Sequence, residues 1–219
     1  MDNILAFLRI GEPEYIMDLY ENGTVFMNPL GHFRKIEDAS LRGDPNEGAI
    51  NLAYLRSKDI IKVSVNIAGQ GMDIHPSHIR YGNFLKAGNV YCLYSISSNW
   101  FPDPRDFKFD PRNFEFGSLC LMIKQPGVFI ERVEAELKKL GHSFDHGFVK
   151  YYDEQVHYEN LTPFHKPKAF DYQKEFRFYV DNEMNEPLRV NIGSMQSYCE
   201  IFKAKDLVGL KLEIKSKYS

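Results

Sequence analysis

Apolar residues in this chain come in short runs, and almost every run is closed by a turn former. Residues 4–10 are stopped by Gly11, 24–27 by Asn28-Pro29, and 90–97 by Ser98-Asn99. Runs of that length read as strands rather than helices. In 90–97, Val90, Cys92, Tyr94 and Ile96 alternate with their neighbours, and in 60–67 Val63, Val65 and Ile67 share a face. Residues 175–180 alternate strictly. The segments 51–56, 118–124, 148–152, 188–192 and 207–214 read as further strands.

Helical spacing occurs in two places. In 12–21, Pro13 suits a first turn, Tyr15, Ile16, Leu19 and Tyr20 are periodic, and Asn22-Gly23 ends the run. In 128–140, Ile130, Val133, Leu137 and Leu140 line one side and Gly141 follows. Residues 31–48, 69–82 and 99–116 read as irregular. Residues 162–172 read as a loop or short helix rich in Pro, Lys and aromatics. There is no internal repeat and no linker. The pattern predicts one domain, 1–219, of the α+β class, strand-rich with few helices.

Composition narrows the function classes. Of 219 residues, 43% are hydrophobic and 26% charged, which excludes disordered and fibrous chains. Aromatics reach 14%, almost all Phe and Tyr, a bias that fits pleated surfaces. A net charge of −3 excludes a globally basic nucleic-acid binder but leaves room for a local basic groove. Cys92, Cys120 and Cys199 form neither a disulfide framework nor a zinc pattern, so a reducing compartment is expected. The apolar run at the start is too short for a signal-peptide core, and no run is long enough to span a bilayer. A cytoplasmic protein without membrane contact is expected.

Three strand ends carry chemistry. Arg9 sits among Phe7, Leu8 and Ile10, and a guanidinium in so apolar a strand needs an anionic partner, either a protein carboxylate or a ligand phosphate. In Tyr94-Ser95-Ile96-Ser97, the two hydroxyls share a face and need hydrogen bonds if buried. Gln173-Lys174-Glu175 opens the strand 175–180, with Gln173 and Glu175 on one side. Taken singly, each has an ordinary explanation: a surface arginine, a strand end reaching solvent, a surface ion pair with Lys174 or Arg177.

Taken in order, these residues resemble the ADP-ribosyltransferase superfamily, in the class that carries an Arg, a Ser-Thr-Ser-like strand and a Glu-x-Glu or Gln-x-Glu motif. The middle of the second motif departs from that pattern, being Ile96. The chain also resembles a widespread bacterial family with a "G-T-V-F-M-N-P" strand (Gly23–Pro29), a "D-P-N-E" turn (Asp44–Glu47) and a terminal strand seen here as Gln173-Lys174-Glu175-Phe176-Arg177. The resemblance implies a split β core with NAD in a cleft between two small sheets. It implies a mono-ADP-ribosyltransferase of the bacterial toxin or phage-defence kind, with NAD as substrate and no metal.

The same resemblance assigns roles. Arg9 clamps the pyrophosphate, Ser95 holds the catalytic glutamate, and Ser97 and Tyr94 support the NAD site. Glu175 stabilises the oxocarbenium ion as nicotinamide leaves. Gln173 orients a non-arginine acceptor, and Tyr172 and Phe170 lie in the acceptor loop. The acceptor is a protein or a nucleic acid, and an antitoxin partner is implied.

Other readings stay open. A non-catalytic protein- or nucleic-acid-binding module on the same fold is the main alternative. A metal-dependent nuclease needs a second acidic strand beside Asp171, Lys174 and Glu175. His75, His78, His142 and His146 have metal-like spacing, but no cysteine pair completes a zinc set. Lys166, Lys168, Lys174 and Arg177, with Lys203, Lys205, Lys211, Lys215 and Lys217 near the C-terminus, read as a solvated basic face that could meet phosphates.

Overall fold

A computed structural model describes residues 4–35, 43–56, 63–67, 69–74, 78–84, 87–156 and 160–212. The order begins β1 (Ile4–Gly11), α1 (Pro13–Asn22), β2 (Thr24–Pro29) and α2 (Leu30–Lys35). Five strands follow: β3 (Ala49–Arg56), β4 (Val63–Ile67), β5 (Gln70–Ile74), β6 (His78–Phe84) and β7 (Gly88–Ser97). Then come β8 (Leu119–Ile123), α3 (Pro126–Lys139), β9 (Phe144–Phe148), β10 (Lys150–Tyr152) and β11 (His165–Pro167). The last strands are β12 (Glu175–Asp181), β13 (Leu188–Asn191) and β14 (Cys199–Lys203). The chain is α+β and strand-rich.

The central sheet is antiparallel and runs β9-β12-β7-β1-β8-β14. β2 joins the far end of β7 through Asn28 and Pro29, and β13 extends β2. β10 and β11 form a parallel pair, whereas β3–β6 and β4–β5 form antiparallel pairs outside this sheet. The three strands that carry the sequence motifs, β1, β7 and β12, are therefore adjacent.

Each face of the sheet has its own core. Phe7, Leu93 and Phe176 point to the face covered by α1 and α3, where Ile16, Leu19, Phe129, Val133 and Leu137 are buried. Leu8, Ile10, Tyr94, Ile96 and Cys120 point to the opposite face, closed by Phe107 and Leu207. Burial of each such large side chain contributes about 1.5–3 kcal/mol. The segment between β7 and β8, expected to be irregular, contains the 3₁₀ turns Pro104–Asp106 and Pro111–Phe116 and serves largely as a lid on that second core.

Some expected elements differ. Residues 69–82 were expected to be irregular but hold β5 and most of β6. Gly69, at φ 83°, stands between the last paired residues of β4 and β5, whereas Gly71 and Gly82 are paired inside strands. α2 (Leu30–Lys35) occupies the first part of the segment 31–48. The strand expected at 148–152 is split between β9 and β10. The strand expected at 207–214 is a 3₁₀ turn, Ala204–Gly209, whose Leu207 plugs the second core. The strand at the β8 edge is instead β14, short and partly exposed, as edges tend to be. Residues 60–62 and 213–214 of the expected strands lie outside the described residues. No helix among the described residues is long and apolar enough to cross a membrane.

Candidate functional site

β12 begins with an abrupt backbone feature. Lys174 lies in the left-handed region at φ 42° and closes the 3₁₀ turn Lys168–Gln173. An L-residue pays about 1–2 kcal/mol to sit there. The turn is held from β7: the Ser95 amide donates to the Lys174 carbonyl at 2.9 Å, and the Ser95 hydroxyl donates to it at 2.8 Å. Ser95 in turn accepts from the Trp100 indole at 2.8 Å. The Glu175 amide donates to the Tyr151 phenol oxygen at 3.0 Å. This backbone clamp fixes where the Glu175 side chain leaves the strand.

Glu175 is 5% exposed. Its Oε1 accepts from Lys166 Nζ at 2.7 Å, and its Oε2 accepts from Arg177 Nε at 2.8 Å. Lys166 Nζ also donates to Gln173 Oε1 at 2.6 Å, so one ammonium ties Gln173 to Glu175. Gln173 Nε2 donates to the Tyr172 phenol at 3.1 Å. Arg177 is 1% exposed and reaches across to Glu47, with Nη1 to Oε1 at 2.7 Å and Nη2 to Oε2 at 2.9 Å. That two-pronged geometry is the strong form of the arginine–carboxylate pair.

Glu47 arrives on the Asp44-Pro45-Asn46-Glu47 turn. The Asn46 amide donates to Asp44 Oδ1 at 2.8 Å, which closes an Asx turn. Arg34 of α2 donates to the Glu47 carbonyl at 2.7 Å. Gly48 continues at φ 73°, where a Cβ would meet Arg34 and Leu30 at 3.2 Å. Asp44 is 1% exposed, and its Oδ2 has no hydrogen-bond partner among the described residues.

Among the described residues, every buried charged side chain belongs to this one cluster: Asp44, Glu47, Lys166, Glu175 and Arg177. Three carboxylates meet two cations. Burial pushes the Glu175 carboxyl up, but Lys166 and Arg177 outweigh it and bring the pKa to about 2. Burial likewise opposes the Lys166 charge, and Glu175 and Glu47 raise it despite that. Asp44 goes the other way: burial and Glu47 push it up to about 7, with Lys166 and Arg177 offsetting only part. The Cys92 thiol, cross-strand from Arg177, is pushed up to about 12 by desolvation and Glu175.

The expected site residues divide between the two faces of the sheet. Leu8, Tyr94 and Glu175 stand in one cross-strand row, so their side chains share a face. Phe7 pairs with Ser95, which puts Ser95, Ser97 and Arg9 on the other face. Tyr94 thus shares a face with Glu175, and Gln173, Tyr172 and Phe170 are linked to Glu175 through Lys166, whereas Arg9, Ser95 and Ser97 stand on the other face. Arg9 donates from Nη1 to the Cys92 carbonyl at 2.9 Å and lies 4.9 Å from the Tyr91 ring centre. The Arg9 bond to Cys92 follows the last β1–β7 pair, Leu8–Tyr94. Ser95 does not touch the Glu175 carboxylate; it holds the peptide before it. Ser97 accepts from the Asn99 amide at 3.2 Å and caps the end of β7.

The rings of Tyr172 and Phe170, expected in an acceptor loop, are buried rather than presented. Tyr172 is 4% and Phe170 6% exposed. Arg112 stacks 3.8 Å from the Tyr172 ring centre, and Lys166 lies 4.8 Å from that of Phe170. Lys166, expected on a solvated basic face, is in the cluster instead. Asp44 and Glu47 were legible only as turn formers. His146 accepts or donates at 2.8 Å with Glu134; His75 lies outside the described residues. Compared with known proteins, the chain matches no family profile, no curated protein and no solved structure.

Proposed function

We propose that this protein is an NAD-dependent mono-ADP-ribosyltransferase built on a split β core, with Glu175 as its catalytic carboxylate and Gln173 as the residue that orients the acceptor. One observation carries the reading. The strands bearing the three motifs are neighbours, and the buried charge cluster sits where the third of them begins. A carboxylate held ionised by Lys166 and Arg177 stays anionic throughout the physiological range. That is what a developing oxocarbenium ion needs opposite it: a fixed charge that costs no reorganisation during the reaction. A ribose hydroxyl would take the place of Lys166 Nζ on Oε1, while Arg177 keeps Oε2 in position. Arg9 and Ser95 then act on the site through the backbone, Ser95 by fixing the Lys174 carbonyl. The acceptor, whether protein or nucleic acid, meets Gln173 after Lys166 has moved.

The test is nicotinamide release from NAD, followed by chromatography, together with an NAD-dependent thermal shift. NAD at about 100 times its dissociation constant stabilises a folded protein by about 2.7 kcal/mol. Glu175→Gln, checked for folding by circular dichroism, is expected to release nicotinamide about 10²–10³-fold more slowly than the wild type. Equal rates in the two proteins would sink the assignment of Glu175. Absence of both release and thermal shift would favour the binding-module reading. That reading has its own support, since both Glu175 oxygens are already engaged within the protein.

A further inference from the structure

We propose that Asp44 carries the exchangeable proton of the buried cluster and acts, through Lys166, as the positioning residue that decides whether the Glu175 carboxylate is held or released. The geometry gives the reasons. With all groups charged, three carboxylates face two cations, leaving one buried negative charge unbalanced. Glu47 and Glu175 have both oxygens engaged, whereas Asp44 Oδ2 has no partner among the described residues. A proton therefore belongs on Asp44. The groups that act on it are Glu47 in its own turn, Lys166 on β11, Arg177 on β12 and Tyr152 on β10, with Arg34 of α2 bonded to the same turn. The Asp44 pKa, raised to about 7, puts the exchange within the physiological range.

The consequence runs through Lys166. An ammonium has three donors, and two are spent on Gln173 and Glu175. When Asp44 is neutral, the carboxylate hydrogen-bonded to Lys166 is that of Glu175, and Lys166 holds it. When Asp44 ionises, it competes for the same cation, and the grip on Glu175 loosens. The released state therefore appears as pH rises through about 7.

The sign for stability follows from the raised value. The folded protein binds this proton more tightly than the unfolded chain, so the stability it confers is present in acid and lost as pH rises through about 7. Melting temperature, measured from about pH 5 to about pH 8.5, is expected to fall for the wild type across that window. Asp44→Asn, which mimics the neutral form, is expected to lose this slope and to melt higher than the wild type at the alkaline end. Difference infrared spectroscopy of the wild type, which needs no variant to fold, is expected to show a protonated-carboxyl band that bleaches over the same range. A flat wild-type profile without such a band would overturn the proposal, as would an Asp44→Asn profile parallel to the wild type. The step to Glu175 rests on the proposed activity: nicotinamide release is expected to rise with pH in the wild type and to stay low and flat in Asp44→Asn. If the wild type releases none while the melting and infrared results hold, the proton site stands and the transferase reading falls. If it releases nicotinamide and Asp44→Asn shows the same pH profile, the link through Lys166 fails.

Discussion

Arg177 holds two carboxylates from segments far apart in sequence, and it does so at 1% exposure. Removing it leaves Glu47 buried without its two-pronged partner and Glu175 with Lys166 alone of its two cations. Such a break of a buried pair costs about 3–5 kcal/mol. Arg177→Met is therefore expected to shift the urea unfolding midpoint sharply downward. Arg177→Lys is expected to lose part of the same amount, because a point charge cannot serve both oxygens of Glu47 and Glu175 together. Equal stability of wild type and Arg177→Met would show the cluster to be energetically neutral. At this scale the sequence was half transparent. Glu175 and Gln173 could be singled out because a carboxylate and an amide share the mouth of an alternating strand. Asp44 and Glu47 could not, since turn chemistry already accounted for them. Lys166 was hidden by the ordinary tendency of lysine to face water. Arg9 stands out as a guanidinium in an apolar strand, and among the described residues it meets the Cys92 carbonyl and the Tyr91 ring.

Elements with long, unbroken periodicity could be read directly: β1, α1, β7, β8, α3 and β12 all fall where alternation or helical spacing puts them. What could not be read was face. Ser95 and Glu175 sit on adjacent strands, but register decides whether their side chains meet, and register is a property of the pair of strands. The structure answers with a backbone link instead, Ser95 to the Lys174 carbonyl. That link makes the left-handed residue before β12 a sensitive point. Lys174→Gly is expected to raise stability by up to about 1 kcal/mol through relief of the positive φ, less whatever chain entropy the glycine adds. Lys174→Val is expected to lower it by about 1–2 kcal/mol, because a β-branched side chain is poorly tolerated there. Chemical denaturation of the two variants measures both; a valine variant as stable as the glycine variant would mean that β12 can start without this turn.

The molecule as a whole distributes its stability unevenly. β1, β7 and β12 lie inside a sheet covered on both faces, and β7 is buried along almost its whole length. β5 is exposed at every position, with Met72 at 56% and Ile74 at 43% exposure, and among the described residues its strand partner is β4 alone. A two-stranded hairpin of that kind is marginal without a third strand or a covering helix. Amide hydrogen exchange is therefore expected to divide the chain. Amides of β1, β7, β8 and β12 should exchange only with global unfolding, and those of β4 and β5 by local opening, orders of magnitude faster. The Asp44–Glu47 turn should fall between them, since Arg177 ties it to the sheet through a buried pair but α2 and β3 hold it from the rim. Its position on that scale bears on the site. If the turn exchanges with the core, the cluster is a rigid platform and Glu175 is reached by movement of Lys166 alone. If it exchanges with the hairpin, the whole acidic turn lifts away when the site opens, and Asn46, which bonds Glu154 at 3.2 Å, moves with it.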